Sequence, residues 1–79
     1  MNRYKELEKK RYVIADFFTP TNYLLCEGNK HYTLTDNICI CTKFATRDVA
    51  EMICSDCTNE DYPLVVVPIM ITYEILEEE

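Results

Sequence analysis

The longest apolar run of the chain, LVVVPIMI at 64–71, lies near its C-terminal end and continues into TYEIL up to residue 76. All odd positions from 65 to 75 are apolar, and this period of two is typical of a β-strand with one face in a core. The even positions begin apolar and become polar at Thr72 and Glu74. We therefore predict a long strand whose odd positions face the core. If the odd positions face the core, the apolar side chains of Leu64, Val66 and Met70 point to the other face, where no packing partner is predicted.

Pro68 falls inside this predicted strand and cannot donate a backbone hydrogen bond, which indicates an edge strand or a bulge. An apolar second face on an edge strand is typical of a homodimer or partner surface. The alternative is that the N-terminal segment, with Tyr4 and Leu7, folds over this face, because a helix of the same chain can also cover a sheet. The sequence leaves both alternatives open.

Upstream of this strand, the pattern predicts a helix, a strand and a hairpin. Residues 2–10 predict a short N-terminal helix that needs packing to be stable. Residues 11–18 are rich in β-branched and aromatic side chains and predict a strand. Residues 23–34 predict a hairpin around Gly28 and Asn29, because these two residues tolerate the positive φ of tight turns.

The strongest helical pattern covers residues 46–57, TRDVAEMICSDC. Thr46 is a favourable N-cap, and acidic residues follow it near the positive end of the helix dipole. At 100° per residue, one apolar stripe forms. Its members are Val49, Ala50, Ile53 and Cys57, with Met52 and Cys54 at its borders. The preceding segment 38–44, ICICTKF, predicts either a strand or an irregular connection that ends in a short strand.

This order of elements predicts the α+β class. We expect a small antiparallel sheet of three to four strands with one helix packed on one face. A chain of 79 residues is short enough for a single domain over residues 1–79. Such a small domain has a thin core, so a partner or a second copy would stabilise it.

Charge is unevenly distributed along the chain, whose net charge is −6. Five basic and two acidic residues give residues 1–12 a charge of +3, while three basic and twelve acidic residues give residues 13–79 a charge of −9. An acidic body repels the phosphate backbone, so we expect no direct nucleic-acid binding. The N-terminus lacks the apolar core of a secretory signal, and the longest apolar run is too short to cross a membrane. We therefore expect a cytoplasmic protein.

The composition excludes several classes of enzyme site. Phosphate-binding loops and nucleophile elbows need several glycines, and Gly28 is the only glycine of the chain. His31 is the only histidine, and nothing in the pattern places a nucleophile and an orienting group beside it. The carboxylates lack the spacing of a metal-binding loop. We predict a protein that is not an enzyme and has no catalytic residue and no cofactor.

Four of the five cysteines form a C-x-C pair and a C-x-x-C pair, at Cys39, Cys41, Cys54 and Cys57. Two such pairs match the ligand count of a structural zinc site. The second pair, however, lies in the helical pattern, with Cys57 inside the apolar stripe, whereas zinc ligands usually sit on a tight turn. We expect packed free thiols without metal, and we keep a zinc-stabilised module that uses these four cysteines as the alternative.

Three segments carry a resemblance to a known group of proteins: YTLTDNI, TKFATRDVAEMI and YPLVVVPIMITYEI. Over roughly residues 12–75 the chain resembles many short proteins encoded by phages and prophages of Gram-positive bacteria. The resemblance implies a compact ββαβ unit without a diagnostic catalytic residue, and the cysteines at 39, 41, 54 and 57 depart from its pattern. Small acidic phage proteins include inhibitors of bacterial defence, among them anti-CRISPR proteins. A phage accessory protein of another role is a further alternative.

By this analogy, we expect an inhibitor that binds a bacterial defence protein, such as a CRISPR–Cas nuclease, in the cytoplasm of the host. Its acidic residues would occupy a surface where nucleic acid binds, and its apolar residues would anchor the contact. The expected partner-binding residues are Asp56, Glu60, Asp61, Tyr62, Met70, Glu74, Glu77, Glu78 and Glu79.

Overall fold

The computed structural model describes residues 6–28 and 31–74. Its elements follow in the order β1 (Glu6–Asp16), β2 (Tyr23–Cys26), β3 (Tyr32–Thr35), α1 (Arg47–Cys57) and β4 (Leu64–Glu74). The strands form one antiparallel four-stranded sheet in the order β3-β2-β1-β4. The predicted α+β class and antiparallel sheet are confirmed.

The prediction of an N-terminal helix is wrong for residues 6–10, which belong to β1. Residues 2–5 lie outside the described residues. β1 pairs with β4 at eleven successive positions, from Glu6 opposite Glu74 to Asp16 opposite Leu64. A continuous ladder of this length outweighs the preference of a short charged segment for a helix, because isolated short helices are marginal in water. Leu7 therefore lies within the sheet and does not fold over β4.

The paired strands β1 and β4 extend beyond the rest of the sheet. β2 pairs with β1 only where Tyr23 lies opposite Ala15, so the first half of β1 has a partner strand on one side only. We call residues 6–11 together with residues 69–74 the ribbon arm. The arm makes the molecule long and narrow, with Cα extents of 54 × 26 × 22 Å.

An irregular segment enters the gap that opens between β1 and β2. The Thr42 backbone N–H donates to the Leu24 carbonyl at 3.2 Å, and the Cys26 N–H donates to the Thr42 hydroxyl at 2.8 Å. Two residues later, Phe44 forms an isolated bridge with Tyr12 of β1. Residues 38–44 are therefore an irregular connection that ends in a short extended piece, the second of the two predicted forms.

The predicted hairpin is also present, since β2 and β3 pair in register from Tyr23 opposite Thr35 to Cys26 opposite Tyr32. The turn is closed by the His31 N–H, which donates to the Gly28 carbonyl at 2.8 Å. Gly28 has a φ of 88°, a conformation that glycine adopts without steric penalty.

The core brings together one residue from each of three elements: Ile14 of β1, Leu24 of β2 and Cys54 of α1. Ala50 of the helix is also fully buried, whereas Val49 is 45% exposed. The buried line of α1 thus runs through Ala50 and Cys54, and the predicted stripe members Ile53 and Cys57 pack partly against the core. Val49, also predicted in the stripe, lies outside it, while Cys54, predicted at its border, is buried. The helix contacts β1 and β4. That it packs on a single face stays a prediction.

The prediction for the two faces of β4 is wrong in its first half. The even residues Leu64 and Val66 pack against the cluster of Ile14, Leu24 and Cys54, while the odd residue Val65 is 38% exposed. Both faces of this segment are apolar, so its period alone cannot tell which of them meets the helix.

Pro68 lies on an edge strand, as predicted, because β4 is the outermost strand of the sheet. Pro68 is opposite Tyr12, whose backbone N–H and C=O both bond to Phe44 and so point away from β4. Tyr12 and Pro68 therefore form a non-hydrogen-bonded pair, and the nitrogen of Pro68 faces the open edge. The missing donor breaks no bond of the ladder.

Candidate functional site

A groove of about 700 Å³ lies between β3 and the C-terminal end of α1. We call it the tyrosine groove, because Tyr32 and Tyr62 both line it. Asp56 and Cys57 contribute the helix side, and Leu24 and Leu34 belong to the apolar part of the lining. Two of the predicted partner-binding residues, Asp56 and Tyr62, therefore meet in one groove.

Glu60 and Asp61 lie near Asp56 in sequence, in the turn of residues 59–62 that borders the groove. The turn is closed by Asn59 and Tyr62, each of which donates its backbone N–H to the carbonyl of the other at 3.2 Å. The Asn59 side-chain oxygen also accepts from the Tyr62 N–H at 2.7 Å. Glu60 and Asp61 occupy the two central positions and are exposed. We call residues 59–62 the acidic turn.

The acidic turn is fixed to the body on both sides. The Thr58 N–H donates to the Cys54 carbonyl at 2.8 Å and ends the helix, while the Thr58 hydroxyl accepts from the Leu64 N–H at 2.8 Å. These contacts satisfy backbone groups that the helix end and the strand start would otherwise leave free. The two carboxylates are therefore presented on a short, well-anchored turn.

Tyr32 and Cys57 both line the tyrosine groove, and the pKa of each is raised. Partial burial raises the pKa of the Tyr32 phenol, and the neighbouring Cys57, Cys26 and Asp56 raise that pKa further. The phenol thus stays protonated and can donate a hydrogen bond from the floor of the groove. Burial also raises the pKa of the Cys57 thiol, with Cys26 and Asp56 adding to it.

An exposed aromatic pair adjoins the acidic turn, and the sequence pattern missed it. Phe17 and Phe18 are 61% and 73% exposed, and their rings meet edge to face with centroids 5.5 Å apart. The Phe17 N–H donates to the Pro63 carbonyl at 3.0 Å, which places the pair beside the residue that follows the acidic turn. The signal available in the sequence was position: both residues stand at the end of a predicted strand, immediately before the breaker Thr19-Pro20.

A buried carboxylate holds the aromatic pair in place. Asp16 is only 8% exposed, and its Oδ1 accepts from the Phe18 N–H at 2.9 Å and from the Thr19 N–H at 3.3 Å. This arrangement is typical of an Asp-initiated turn. The two large apolar side chains are therefore exposed by a defined local structure.

The remaining predicted partner residues lie elsewhere. Met70 lines a second groove, of about 630 Å³, between residues 69–73 and the loop residues Ile38, Cys39 and Lys43. It is six residues further along β4 than Leu64, a distance of about 20 Å at the rise of a strand. The side chain of Glu74 and residues 77–79 lie outside what the structure describes. The structure thus joins Asp56, Glu60, Asp61 and Tyr62 and separates Met70 from them.

The four cysteines of the zinc alternative do not converge. The Cys41 thiol donates to the Ile38 carbonyl at 3.3 Å, and the Cys54 thiol donates to the Leu64 carbonyl at 3.4 Å. Within residues 6–28 and 31–74, no group of three or more His, Cys, Asp or Glu side chains is arranged to hold a metal ion.

The buried thiols are also poorly suited to nucleophilic chemistry. Burial raises the pKa of both Cys41 and Cys54; Lys43 partly offsets this at Cys41, whereas Glu51 adds to it at Cys54. Because the thiolate is the reactive form, both groups are held in their unreactive state at neutral pH. The Nε2 atom of His31 lies 3.6 Å from the Oε2 atom of Glu27, and both side chains are well exposed.

No protein-family model matches the chain, and neither the curated proteins nor the solved structures gave a match. Among the helices that the structure describes, none is long and apolar enough to cross a lipid bilayer.

Proposed function

We propose that this chain is a non-enzymatic interaction protein that binds a basic protein partner through the acidic turn, the tyrosine groove and the aromatic pair. The observation that supports this most directly is the hydrogen bond from the Phe17 N–H to the Pro63 carbonyl. It places two exposed phenylalanines next to a turn with two exposed carboxylates.

This combination of side chains fits the anatomy of a protein interface. Aromatic residues dominate the energetic centres of interfaces, and a polar or charged rim surrounds them. Phe17, Phe18 and Tyr62 would supply the apolar contacts, while Asp56, Glu60 and Asp61 would attract a positively charged surface. Charge complementarity of this kind mainly increases the association rate and the selectivity for a basic partner.

We further propose that the partner is a bacterial defence protein that binds nucleic acid, such as a CRISPR–Cas nuclease, and that the chain is a phage-encoded inhibitor acting in the host cytoplasm. The support is the charge of −9 over residues 13–79 together with the resemblance described above. A nucleic-acid channel is lined with lysine and arginine, so an acidic protein with an aromatic anchor competes for it. In this proposal the helix packs on one face of the sheet and leaves the acidic turn free at its end.

The test is capture of partners from a lysate of the bacterial host, at low and at high salt, followed by binding measurements with the purified partner. We expect binding that weakens as salt rises, because screening shortens the range of charge–charge attraction. Glu60→Lys combined with Asp61→Lys should reduce affinity strongly. The control is Glu8→Lys combined with Asp36→Lys, which changes the net charge equally at two exposed residues that belong neither to the acidic turn nor to the lining of the tyrosine groove.

A second pair of variants tests the aromatic contribution. Phe18→Ala should cost about 1–2 kcal/mol of binding free energy or more, the effect typical of an interface hot spot. Ile40→Ala, which truncates another exposed apolar side chain in a different loop, should have little effect. If charge reversal in the acidic turn and Phe18→Ala both leave the affinity for every captured partner unchanged, the proposed surface is wrong.

A further inference from the structure

The open edge of β4 differs from the other free edges of the sheet. Along the ribbon arm, the free edge of β1 carries charged residues at every position from 8 to 11, and the Arg11 guanidinium donates to the Lys10 carbonyl at 2.8 Å. Charged side chains and blocked carbonyls discourage another strand from pairing. β3, at the opposite side of the sheet, has only four residues. β4 is eleven residues long and its residues 64–73 contain no charge, so within them the edge is protected only at Pro68, whose nitrogen cannot donate to a neighbouring strand.

The part of this edge that can accept a strand is well defined. Even-numbered residues of β4 direct their backbone groups outward, as the pairing of Tyr12 with Phe44 requires. At Leu64 both groups are already used, because the N–H donates to Thr58 and the carbonyl accepts from the Cys54 thiol. The free segment of the edge therefore runs from Val66 to Glu74.

We propose that this free edge pairs with the same edge of a second copy of the chain, antiparallel and with its two-fold axis at Met70. Met70 is the central residue of the segment 66–74, so an axis there lets the whole free edge of one copy pair with the whole free edge of the other. The two four-stranded sheets then join into one sheet of eight strands. This inference does not rest on the proposed function.

The side chains of β4 suit this register. With the axis at Met70, Ile69 lies opposite Ile71 of the second copy, and Val67 lies opposite Tyr73. Apolar and aromatic cross-strand pairs of this kind stabilise antiparallel sheets. Lys9 already places its ammonium group 6.0 Å from the centre of the Tyr73 ring, which helps to hold that ring beside the edge. Pro68 lies opposite Thr72 of the second copy, and its carbonyl accepts from the Thr72 N–H there. This pair forms one hydrogen bond instead of two, because proline has no N–H to donate.

At the free edge of β4, charge also favours a second copy of the chain over the basic protein that we propose as the partner of the acidic turn. Two copies with a net charge of −6 each repel over most of their surfaces. An uncharged edge is where they can approach without placing carboxylates opposite each other, whereas a basic segment would find no counter-charge there. The second copy supplies a strand of the same length whose residues 64–73 are likewise uncharged.

The first test is the mass of the purified protein, by light scattering or sedimentation over a wide range of concentration, against a monomer mass of 9.3 kDa. We expect a monomer–dimer equilibrium. Met70→Lys should raise the dimer dissociation constant by about tenfold or more, because it places two ammonium groups across the axis, on Cα atoms about 5.5 Å apart. Met52→Lys is the matched control, since Met52 and Met70 are both 58% exposed.

The second test fixes the register. In a Cys39→Ser background, which removes the exposed native thiol, Met70→Cys should form an intermolecular disulfide, because two Cα atoms about 5.5 Å apart can be bridged. Thr72→Cys should not, since the two copies of residue 72 lie about 13 Å apart in this register. A monomer at all concentrations overturns the proposal, as does an effect of Met52→Lys equal to that of Met70→Lys. Cross-linking of Thr72→Cys as fast as that of Met70→Cys overturns the register.

Discussion

Tyr12 and Phe44 exchange two backbone hydrogen bonds, with the Tyr12 N–H donating at 2.9 Å and the Phe44 N–H donating at 2.8 Å. This pair closes the sheet where β1 and β2 separate. Together with Thr42, it makes the connection before the helix part of the sheet. Because the N–H and C=O groups of Tyr12 bond to Phe44, they point away from β4. The same holds for the other even-numbered residues of β1, and the even-numbered residues of β4 opposite them therefore point their backbone groups toward the open edge.

The first prediction concerns the connection itself. Thr42→Val keeps the shape of the side chain but removes the acceptor of the Cys26 N–H. A partly buried donor without a partner should lower the free energy of unfolding by about 1–3 kcal/mol. Urea unfolding measures this loss, and Thr33→Val, on an exposed position of β3, is the control. Equal stability of the two variants would show that water replaces the Thr42 hydroxyl at no cost.

The second prediction tests the orientation of α1. Ala50→Leu adds a large side chain at a fully buried position and should destabilise the fold by about 1–3 kcal/mol. Val49→Leu, one position earlier on an exposed site, should change stability by less than about 0.5 kcal/mol. The two variants separate the observed orientation from the one expected from helical periodicity, in which both residues belong to the apolar stripe. A larger loss for Val49→Leu would contradict the structure.

A third prediction links Asp16 to the aromatic pair. Asp16→Ala removes the acceptor of the Phe18 and Thr19 N–H groups and should cost about 1–3 kcal/mol of stability. Asp16→Asn keeps the side-chain oxygen and should recover most of the loss. Chemical denaturation compares the variants. If asparagine is no better than alanine, the two hydrogen bonds do not account for the effect of Asp16.

The fourth prediction is a loss of stability at alkaline pH. Burial raises the pKa of Cys41, Cys54 and Cys57 above the ordinary value of 9.0. Above pH 9 the unfolded chain therefore releases these protons before the folded chain does, and the free energy of unfolding falls as pH rises. Below pH 9 this contribution is fully present. The stability of the wild type at pH 7 and at pH 10, both under reducing conditions, measures the effect.

Cys54→Ala provides the comparison for this pH dependence. It should lose less stability between the two pH values than the wild type does, even if it is less stable at neutral pH. Cys39→Ala, which removes an exposed thiol, controls for the loss of a cysteine as such. A pH dependence that is unchanged in Cys54→Ala would remove this thiol as a cause.

The elements that the sequence predicts well are those with one consistent local signal. The hairpin has Gly28 at its turn, and α1 begins after Thr46, whose hydroxyl accepts from the Val49 N–H at 3.4 Å. β4 is apolar over most of its length. In each case the backbone preference, the cap or turn residue and the hydrophobic pattern indicate the same structure.

The errors arise where tertiary contacts decide. Residues 6–10 are charged and locally compatible with a helix, and only their pairing with β4 makes them a strand. The buried line of α1 depends on where Ile14 and Leu24 lie beneath it, which the helical period alone does not specify. Phe17 and Phe18 resemble core residues by type, and they are exposed because Asp16 turns the chain there. Glu60 and Asp61 were expected as partner-binding residues by their charge, but their closeness to Phe17 was not predicted.

The pairing of β1 with β4 has a consequence for how the chain folds. These strands lie at the two ends of the described sequence, and their ladder is the longest in the sheet. Contacts between distant segments form slowly, because a large loop must close before they contribute stability. During synthesis, β1 remains without this neighbour until β4 has been made. The nascent chain therefore passes through a stage in which residues 6–16 lack the partner strand that fixes their conformation, and a chaperone that shields this segment would raise the yield of folded protein.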